Sequence, residues 1–546
     1  MELARVFLLG ALFLIAFMIW NAWQNEYPNT REIAVSTHTD HKQVAAELTK
    51  QSDFQFSSAV VGGKTENSEN ARFTHVKTDV LNIVIDMHGG NVVQANLLKY
   101  PQQASDANSQ PFQLLSNNQE YYYVAQSGLA GSEKQILQYH SAQRNYNLGA
   151  NQSELRVNLI CTSCGDVAIQ KQFVFKRDDY VVSVNYQIIN HSNSLWKGQL
   201  YTQFQQKKRI PPRSLFNISS YMGGAISTQE KPYQKISFDK MGEGISITTE
   251  SGWVAMLQHY FLSAWVPFSG QPYHFYSYTK NDICTLGMLG SPFQVAPNKQ
   301  YYSQAKLYIG PESMDRLKAV VPHLDLTVDY GILWFISMAL FWLLKQIHHA
   351  VGNWGWSIVI VTVLIKLAFY HLSAKSYRSM AAMRNLQPRL NALKERCGDD
   401  RQKFTKATME LYKSEKVNPL GGCLPILVQI PVFIALYWML LESVELRQAP
   451  FIFWIHDLST KDPYYILPIL MGITMFVQQR LNPPPPDPTQ AKVMQFLPIF
   501  FTALFLNFPS GLVLYWVVNN ALSILQQWFI MRHVAIKFNQ KNLKKR

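Results

Sequence analysis

Acidic residues are missing from every long apolar run of this 546-residue chain, which leaves no paired carboxylates for a proton-relay pump. Also absent are a G-x-x-x-x-G-K-[ST] phosphate loop, an H-E-x-x-H zinc helix and a G-x-S-x-G nucleophile turn. Nucleotide-driven, metalloprotease and serine-hydrolase chemistry therefore lack their usual scaffolds. Cysteine is scarce, at 5 residues. Cys161 and Cys164 form a C-x-x-C in strand-rich surroundings, with no second such pair and no helix beginning there, which favours a local disulfide over a metal or redox site. Cys284, Cys397 and Cys423 read as unpaired. Work done in a bilayer by this chain is expected to proceed without bond chemistry.

Apolar length supplies the first positive signal. About 20 residues at 1.5 Å each cross the hydrocarbon core, and stretches 3–20, 356–372, 420–441, 464–477, 493–508 and 511–530 are candidates. Pro425, Pro431, Pro468 and Pro498 interrupt several of them without adding charge, which membrane helices tolerate because neighbours satisfy the freed carbonyls. No small-x-small cleavage pattern follows the first stretch, so it reads as an uncleaved signal anchor. Charge then orients the map. Residues 375–416 carry eleven Lys or Arg against five acids, and the tail after Ile530 carries six cations and no acid, whereas the cations of 442–462 are Arg447 and Lys461 alone. The positive-inside rule places the first two segments in the cytoplasm. A further apolar stretch, 331–344, would reverse that parity if it crossed. It reads instead as a helix in the outer interface, with Trp334, Trp342, Trp354 and Trp356 at headgroup level. Six spans with both termini inside result.

One cation stands at membrane depth. Lys366 lies within the otherwise almost wholly apolar stretch 356–372, and a charge near the centre of a membrane helix costs about 2.5–3.5 kcal/mol. Leu372 is six residues further on, roughly 9 Å along a helix, a distance a lysine stem covers in part, so snorkelling is the weaker reading. Intramembrane charges usually face a protein interior or a wet cavity.

Polar residues concentrate between Asn21 and Asp325, enough chain for one large soluble domain, and a signal anchor would export it to the periplasm. Residues 23–70, poor in aromatics and rich in Gln, Thr, Ser and Asn, read as a flexible tether, with order beginning near Phe73. Alternation in 81–86 before Gly89-Gly90, in 170–176 before an Asp178-Asp179 turn, in 180–189 and in 301–309 predicts strands. Recurring turns and few helical patterns predict a large antiparallel sandwich over 71–325, with a short helix at 312–320 leading into the interfacial amphipathic helix of 326–350. In 375–417, Met380, Met383, Leu386, Leu390 and Leu393, then Phe404, Ala407 and Leu411, recur at helical spacing around a Gly398-Asp399-Asp400 stop and cap. This predicts a helical hairpin kinked at Pro388, either a solvated pair packed on itself or a mobile cover over a cytoplasmic mouth. The fold class is a polytopic α-helical membrane protein with six transmembrane helices and a large all-β periplasmic sandwich. Its parts are an anchor (1–22), the tether, the sandwich, the interfacial helix and a core over 351–546 ending in the basic tail 531–546.

Five segments carry a resemblance. Val328-Asp329-Tyr330-Gly331, Gly352-Asn353-Trp354-Gly355, the run Asn-Pro-Leu-Gly-Gly-Cys-Leu-Pro-Ile-Leu-Val-Gln-Ile-Pro at 418–431, Ala435-Leu436-Tyr437, and Phe-Pro-Ser-Gly-Leu-Val-Leu-Tyr at 508–515 resemble the YidC family of membrane protein insertases in its Gram-negative form. The resemblance covers essentially the whole chain. It implies an insertase and chaperone of inner-membrane proteins, whose five C-terminal spans surround a polar groove open to cytoplasm and lipid and closed toward the periplasm. The family's groove cation falls on Lys366, where arginine is usual; lysine keeps the charge and loses the planar fork. Family groove positions also fall on Thr362 and Gln429. Tyr515 and Trp516 fall on the part of the last span used against the substrate helix, Trp516 standing where tyrosine is common. The resemblance implies no catalysis and no cofactor, with nascent membrane proteins and membrane lipids as partners, and action alone or beside the Sec translocon. The cations of the hairpin and tail suit span orientation and anionic lipid better than a ribosome, for which at most weak contact is expected. Two other classes stay in view. A polytopic transferase would need a clustered acid and base near the outer interface, where scattered His and Asp occur, and a secondary transporter would need internal repeats with broken helices.

Overall fold

The computed structural model describes residues 72–103, 109–131, 136–209, 221–268, 270–398, 400–415, 417, 424–482 and 488–543. The anchor, the tether and Cys423 lie outside these. The chain divides into two compact units, Val61–Ala374 with Cys423–Arg546, and a second that includes Lys375–Gly422; each is described by itself.

Strands dominate residues 73–311, arranged in sheets of eleven and nine strands. In the nine-stranded sheet Val181–Asn190 lies between Val167–Lys176 and Gln300–Pro311, with Val184 opposite both Phe173 and Ala305. Val182, Val184, Tyr186 and Ile188 are buried and the residues between them half-buried, the period of two that turns alternate side chains to one core face. The Asp178 turn joining the first pair has φ 52°. In the other sheet Trp196–Lys207 lies between Tyr122–Gly131 and Ile283–Leu289. The inner faces interdigitate: Phe204 meets Trp265 at 6.1 Å between ring centroids, and Trp265 Nε1 donates to the Gln203 carbonyl at 3.2 Å. Among the described residues every pairing is antiparallel except that of Phe73–Lys77 with Asn145–Asn147. One inward position breaks the apolar pattern. Lys171 is fully buried, its Nζ donating to the carbonyls of Gly90 at 2.6 Å and Ser127 at 2.8 Å, and burial holds its amine well below the usual lysine range. Cys161 and Cys164 are joined in a disulfide, while Cys284 and Cys397 are free thiols.

The helices of the first unit are α1 (Phe238–Glu243), α2 (Met314–Val320), α3 (Trp334–Val351), α4 (Trp354–Ala368), α5 (Tyr370–Asn385, which runs on into the second unit), α8 (Leu424–Glu442), α9 (Ile466–Leu481), α10 (Pro488–Phe505) and α11 (Ser510–Leu543); α6 (Gln387–Cys397) and α7 (Arg401–Ser414) belong to the second unit. Asn353 caps α4 by accepting from the Trp356 amide, satisfying a donor the helix leaves free. α11 packs against α9, α4 and α8; α10 packs on α9, and α3 on α4 and α8. Gly472 permits the α9–α10 approach, since a Cβ there would stand 2.1 Å from Thr502 Oγ1. α3 begins eight residues into the expected 326–350 helix and ends one residue past it. Its Ser337 hydroxyl donates to the Ala435 carbonyl of α8 at 3.0 Å, while Trp334, Phe335 and Trp342 are exposed. Among the described residues no single helix is long and apolar enough to cross a membrane by itself; α4 and α5 pass together across a 67° bend, and Val428–Glu442, Ile466–Leu481 and Ala491–Phe505 are shorter apolar helices. Helix length alone therefore does not establish six spans. In the second unit α6 and α7 pack on each other, Gly398 closes α6 with φ 54°, and Asp400 caps α7 by accepting from the Gln402 and Lys403 amides. Pro388 occupies the first turn of α6, after a break at Leu386. The expected kink is thus a helix boundary, placed where the proline's missing N–H costs nothing.

The sandwich is fastened to the helices through the loop between α8 and α9. Arg447 donates to the Pro101 carbonyl at 2.8 Å, and its guanidinium lies 5.5 Å from the Phe112 ring and 5.3 Å from Phe261. Ser313 donates to Glu445 Oε1 at 3.2 Å, and Lys235 pairs with Asp329. Beside them Glu312 is buried at 6% exposure. Burial, and after it the nearby Glu442 carboxylate, push the Glu312 carboxyl well above the usual range. An acid whose folded pKa exceeds its unfolded value of about 4.3 contributes stability below that value and loses it as pH rises through the folded one. Glu312→Gln is therefore expected to raise amide protection in 312–320 and 443–448 at neutral pH, with the difference from wild type closing toward pH 4. Hydrogen exchange measures it, and equal protection at neutral pH would contradict the burial of a strained carboxyl.

Candidate functional site

Lys366 and Gln429 come together at one place. α4 carries Lys366 in its last turn, where a cation complements the helix dipole. Its Nζ donates to Ser523 Oγ of α11 at 2.7 Å, and Ser523 in turn donates to the Asn519 carbonyl one turn back at 2.7 Å. Asn519 Oδ1 accepts from Gln429 Nε2 of α8. Three helices thus meet in one hydrogen-bonded chain, and each link satisfies a polar group that burial would otherwise penalise. Lys366 and Gln429 also line a small common cleft, walled by Phe369, Leu372, Val428 and Val432. Among the described residues no carboxylate neighbours the Lys366 ammonium. A second polar contact lies where α4 gives way to α5: Gln526 Nε2 reaches the Tyr370 carbonyl at 3.5 Å. The opposite side of the α11 stripe faces α9, where Asn520 donates to Thr474 at 3.3 Å and Gln527 to Asn482 at 3.0 Å.

The other three expected residues are not links of this chain, although Tyr515 approaches it at Gln429. Thr362 is 1% exposed, and its hydroxyl donates to the Ile358 carbonyl of its own helix at 2.7 Å. With Tyr515 it lines an apolar pocket beside Val361, Leu436 and Met439. Trp516 packs edge-on against Phe433, with centroids 4.5 Å apart, and lies 5.3 Å from Phe505. Trp516 Nε1 is buried without a partner, which in a native structure calls for a reason such as a group that arrives later; the Tyr515 hydroxyl is buried near the Gln429 side chain, too poorly aligned for a regular hydrogen bond. Sequence reasoning missed Asn519, Asn520, Ser523 and Gln527. The signal was there, since polar residues three and four apart in the apolar stretch 511–530 fall on one helix side. On the bundle's outer surface Ile473, Phe496 and Ile499 are more than half exposed, an apolar exterior that water would not tolerate in a soluble protein.

Comparison with known proteins gives the class first. The model of the family described as 60Kd inner membrane protein matches residues 346–538, and that of the YidC periplasmic domain matches 74–343; the chain is an inner-membrane protein carrying a periplasmic domain made mostly of strands. A membrane protein insertase YidC of Legionella pneumophila (strain Paris) is 51% identical over 550 residues, covering 97% of each chain. The insertase of Coxiella burnetii (strain Dugway 5J108-111) is 46% identical over 555 residues, 97% of this chain and 96% of its own. That of Stutzerimonas stutzeri (strain A1501) is 47% identical over 556 residues, covering 98% and 99%. The chain belongs to the YidC family of membrane protein insertases, and these names point to insertion rather than catalysis. A crystal structure of an active YidC insertase with its first transmembrane domain resolved aligns over 89% of this chain and 98% of its own, at 17% identity and a TM-score of 0.39. At that score the superposition carries no argument, and membership rests on the sequences.

The Gln429–Asn519 bond generates a prediction. Gln429→Leu and Asn519→Leu singly should each destabilise the helical core by about 1–2 kcal/mol, because each leaves a buried or half-buried amide without this bond. The double variant should lose about 0.5–1.5 kcal/mol less than the sum. Denaturant unfolding of the protein in detergent reads the cycle; strictly additive losses would show that the pair carries no energy.

Proposed function

We propose that the insertase works through a groove whose attracting charge is Lys366. The observation that carries this reading is a cation beside a cleft with no carboxylate neighbour among the described residues. A charge so placed attracts an anion from a client. An acidic residue of the translocating tail supplies the missing partner, and at 4 Å such a pair is worth about 4 kcal/mol at an effective dielectric of 20. Gln429, Asn519 and Ser523 lower the cost of drawing polar chain partway into the membrane, because side chains and water replace lost hydrogen bonds. The tail then has less hydrocarbon to cross. Burial of the client's apolar segment, at about 25 cal/mol per Å², and the membrane potential acting on negative charge complete transfer without nucleotide. In this reading Thr362 and Tyr515 close the groove with an apolar layer, and Trp516 with Phe433 and Phe505 offers an aromatic wall to the client helix.

The topology belongs to the same proposal. Six spans keep both termini, the hairpin and the basic tail 531–546 in the cytoplasm; α3 lies in the outer interface, its exposed Trp334 and Trp342 suiting headgroup level. The protein acts alone or beside the Sec translocon, and its basic segments touch anionic lipid with at most weak ribosome contact.

Lys366→Ala should lower insertion of clients with acidic tails about tenfold or more in liposomes containing the purified protein, and Lys366→Arg should keep most of it. Equal activity of the alanine variant on such clients would make the charge incidental. For topology, cysteines at Glu395 and Lys541 should react with an impermeant probe from the cytoplasmic side alone, and one at Asn193 from the periplasmic side alone. A Glu395→Cys that is labelled from outside would mean that α3 spans and the map is inverted beyond it.

A further inference from the structure

We infer that Ser523 is the positioning residue for the groove cation: its hydroxyl holds the Lys366 ammonium against the last helix and so sets how strongly the insertase prefers acidic clients. The inference rests on the reading of Lys366 given above. Ser523 is 2% exposed, and its single hydroxyl proton is committed to the Asn519 carbonyl at 2.7 Å. What remains on Oγ is lone-pair density, and Lys366 Nζ takes it at 2.7 Å. The direction of this bond is fixed, since an ammonium can only donate and this hydroxyl can only accept. An ammonium has three N–H groups; one on Ser523 leaves two for whatever enters the cleft beside Gln429. The anchor itself is anchored. Asn519, one turn before Ser523, is tied to Gln429 of α8, so the acceptor belongs to a stretch of α11 fixed from two sides.

Lysine makes such a tether consequential. Its charge is a compact point on a flexible four-carbon stem, free to swing where an arginine fork would be pre-organised. Lys366 lies two residues from the end of α4 at Ala368. Released from Ser523, the stem has no other hydrogen-bond partner for its ammonium among the described residues, and the charge is no longer held at one place beside Gln429.

The test uses the full-length protein in liposomes and two single-span clients that differ in an acidic or a neutral translocated tail. The quantity read is the ratio of acidic to neutral insertion for wild type, Ser523→Ala, Ser523→Thr, Lys366→Gln and the Lys366→Gln/Ser523→Ala pair. Ser523→Ala should reduce the ratio about three- to tenfold, Ser523→Thr should restore it because the hydroxyl returns, and Ser523→Ala should add nothing once Lys366 is glutamine. A merely structural serine would lower both clients alike and leave the ratio unmoved. If Lys366→Gln collapses the ratio while Ser523→Ala keeps it, or if threonine fails to rescue, the positioning role is refuted and the groove reading stands. If Lys366→Gln itself keeps the ratio, the groove reading falls and takes this inference with it.

Discussion

A cation held in a low-dielectric helical core without a carboxylate neighbour among the described residues is the constraint on which the arrangement turns. Desolvation makes such a charge costly, and a buried acid would be the obvious remedy. The sequence withholds one: the apolar stretches contain no Asp or Glu. The remedy adopted instead is neutral. Ser523 accepts from the ammonium, Asn519 backs Ser523, and Gln429 backs Asn519. Hydroxyl and amide dipoles stabilise the charge without cancelling its field, so the cation is supported and, among the described residues, still unneutralised. The same logic explains the position of Lys366 at the C-terminal end of α4, where backbone carbonyls add negative potential.

Neutral support of this kind works if the donors and acceptors stay in register, and the loop between α8 and α9 supplies the rigidity. Asp462, 1% exposed, accepts from Trp454 Nε1 at 3.0 Å and from the Tyr464 and Leu467 amides at 3.0 and 2.7 Å, which caps the start of α9. The Ser510 and Gly511 amides bond to the carbonyls of Thr460 and Leu458, so the start of α11 is pinned to the same loop. Arg447 fastens this loop to the sandwich through Pro101 and two aromatic faces. α8 and α11, which present Gln429 and Asn519, are thereby tied together at one end. The insertase core and the periplasmic domain share one framework, in which charge-assisted and aromatic contacts add to a cluster of buried apolar residues common to both.

Local signals were legible where a residue's role depends on its sequence neighbours. Leu81–Asp86 ends as read, the pair around Asp178 forms the expected hairpin, the 301–309 strand runs Gln300–Pro311, and Gly398 and Asp400 stop and cap the hairpin helices. Turn, cap and alternation arise from φ/ψ preferences and from the period of two, which a chain carries in its own order. Lys171 interrupts the inward apolar positions of its strand, but nothing local announces that its amine will be taken up by carbonyls of Gly90 and Ser127, more than forty residues away in the chain. The break between α4 and α5 escaped for a similar reason. The run 356–372 is continuous in hydropathy, and no proline or glycine marks the 67° bend between Ala368 and Tyr370.

The sequence by itself determined the lone charge at Lys366, the missing acids, the strand-rich character of the exported region and the family, while for Cys161 and Cys164 it favoured a disulfide that the structure shows. These are properties of composition and spacing. Tertiary structure alone decided which polar residues of the last helix meet that charge. Asn519 and Ser523 look in the sequence like Asn520 and Gln527, yet the first pair faces α8 and α4 while the second faces α9. A helix of 3.6 residues per turn separates adjacent residues by 100°, and which side of it meets which neighbour is set by packing across more than 150 residues of chain.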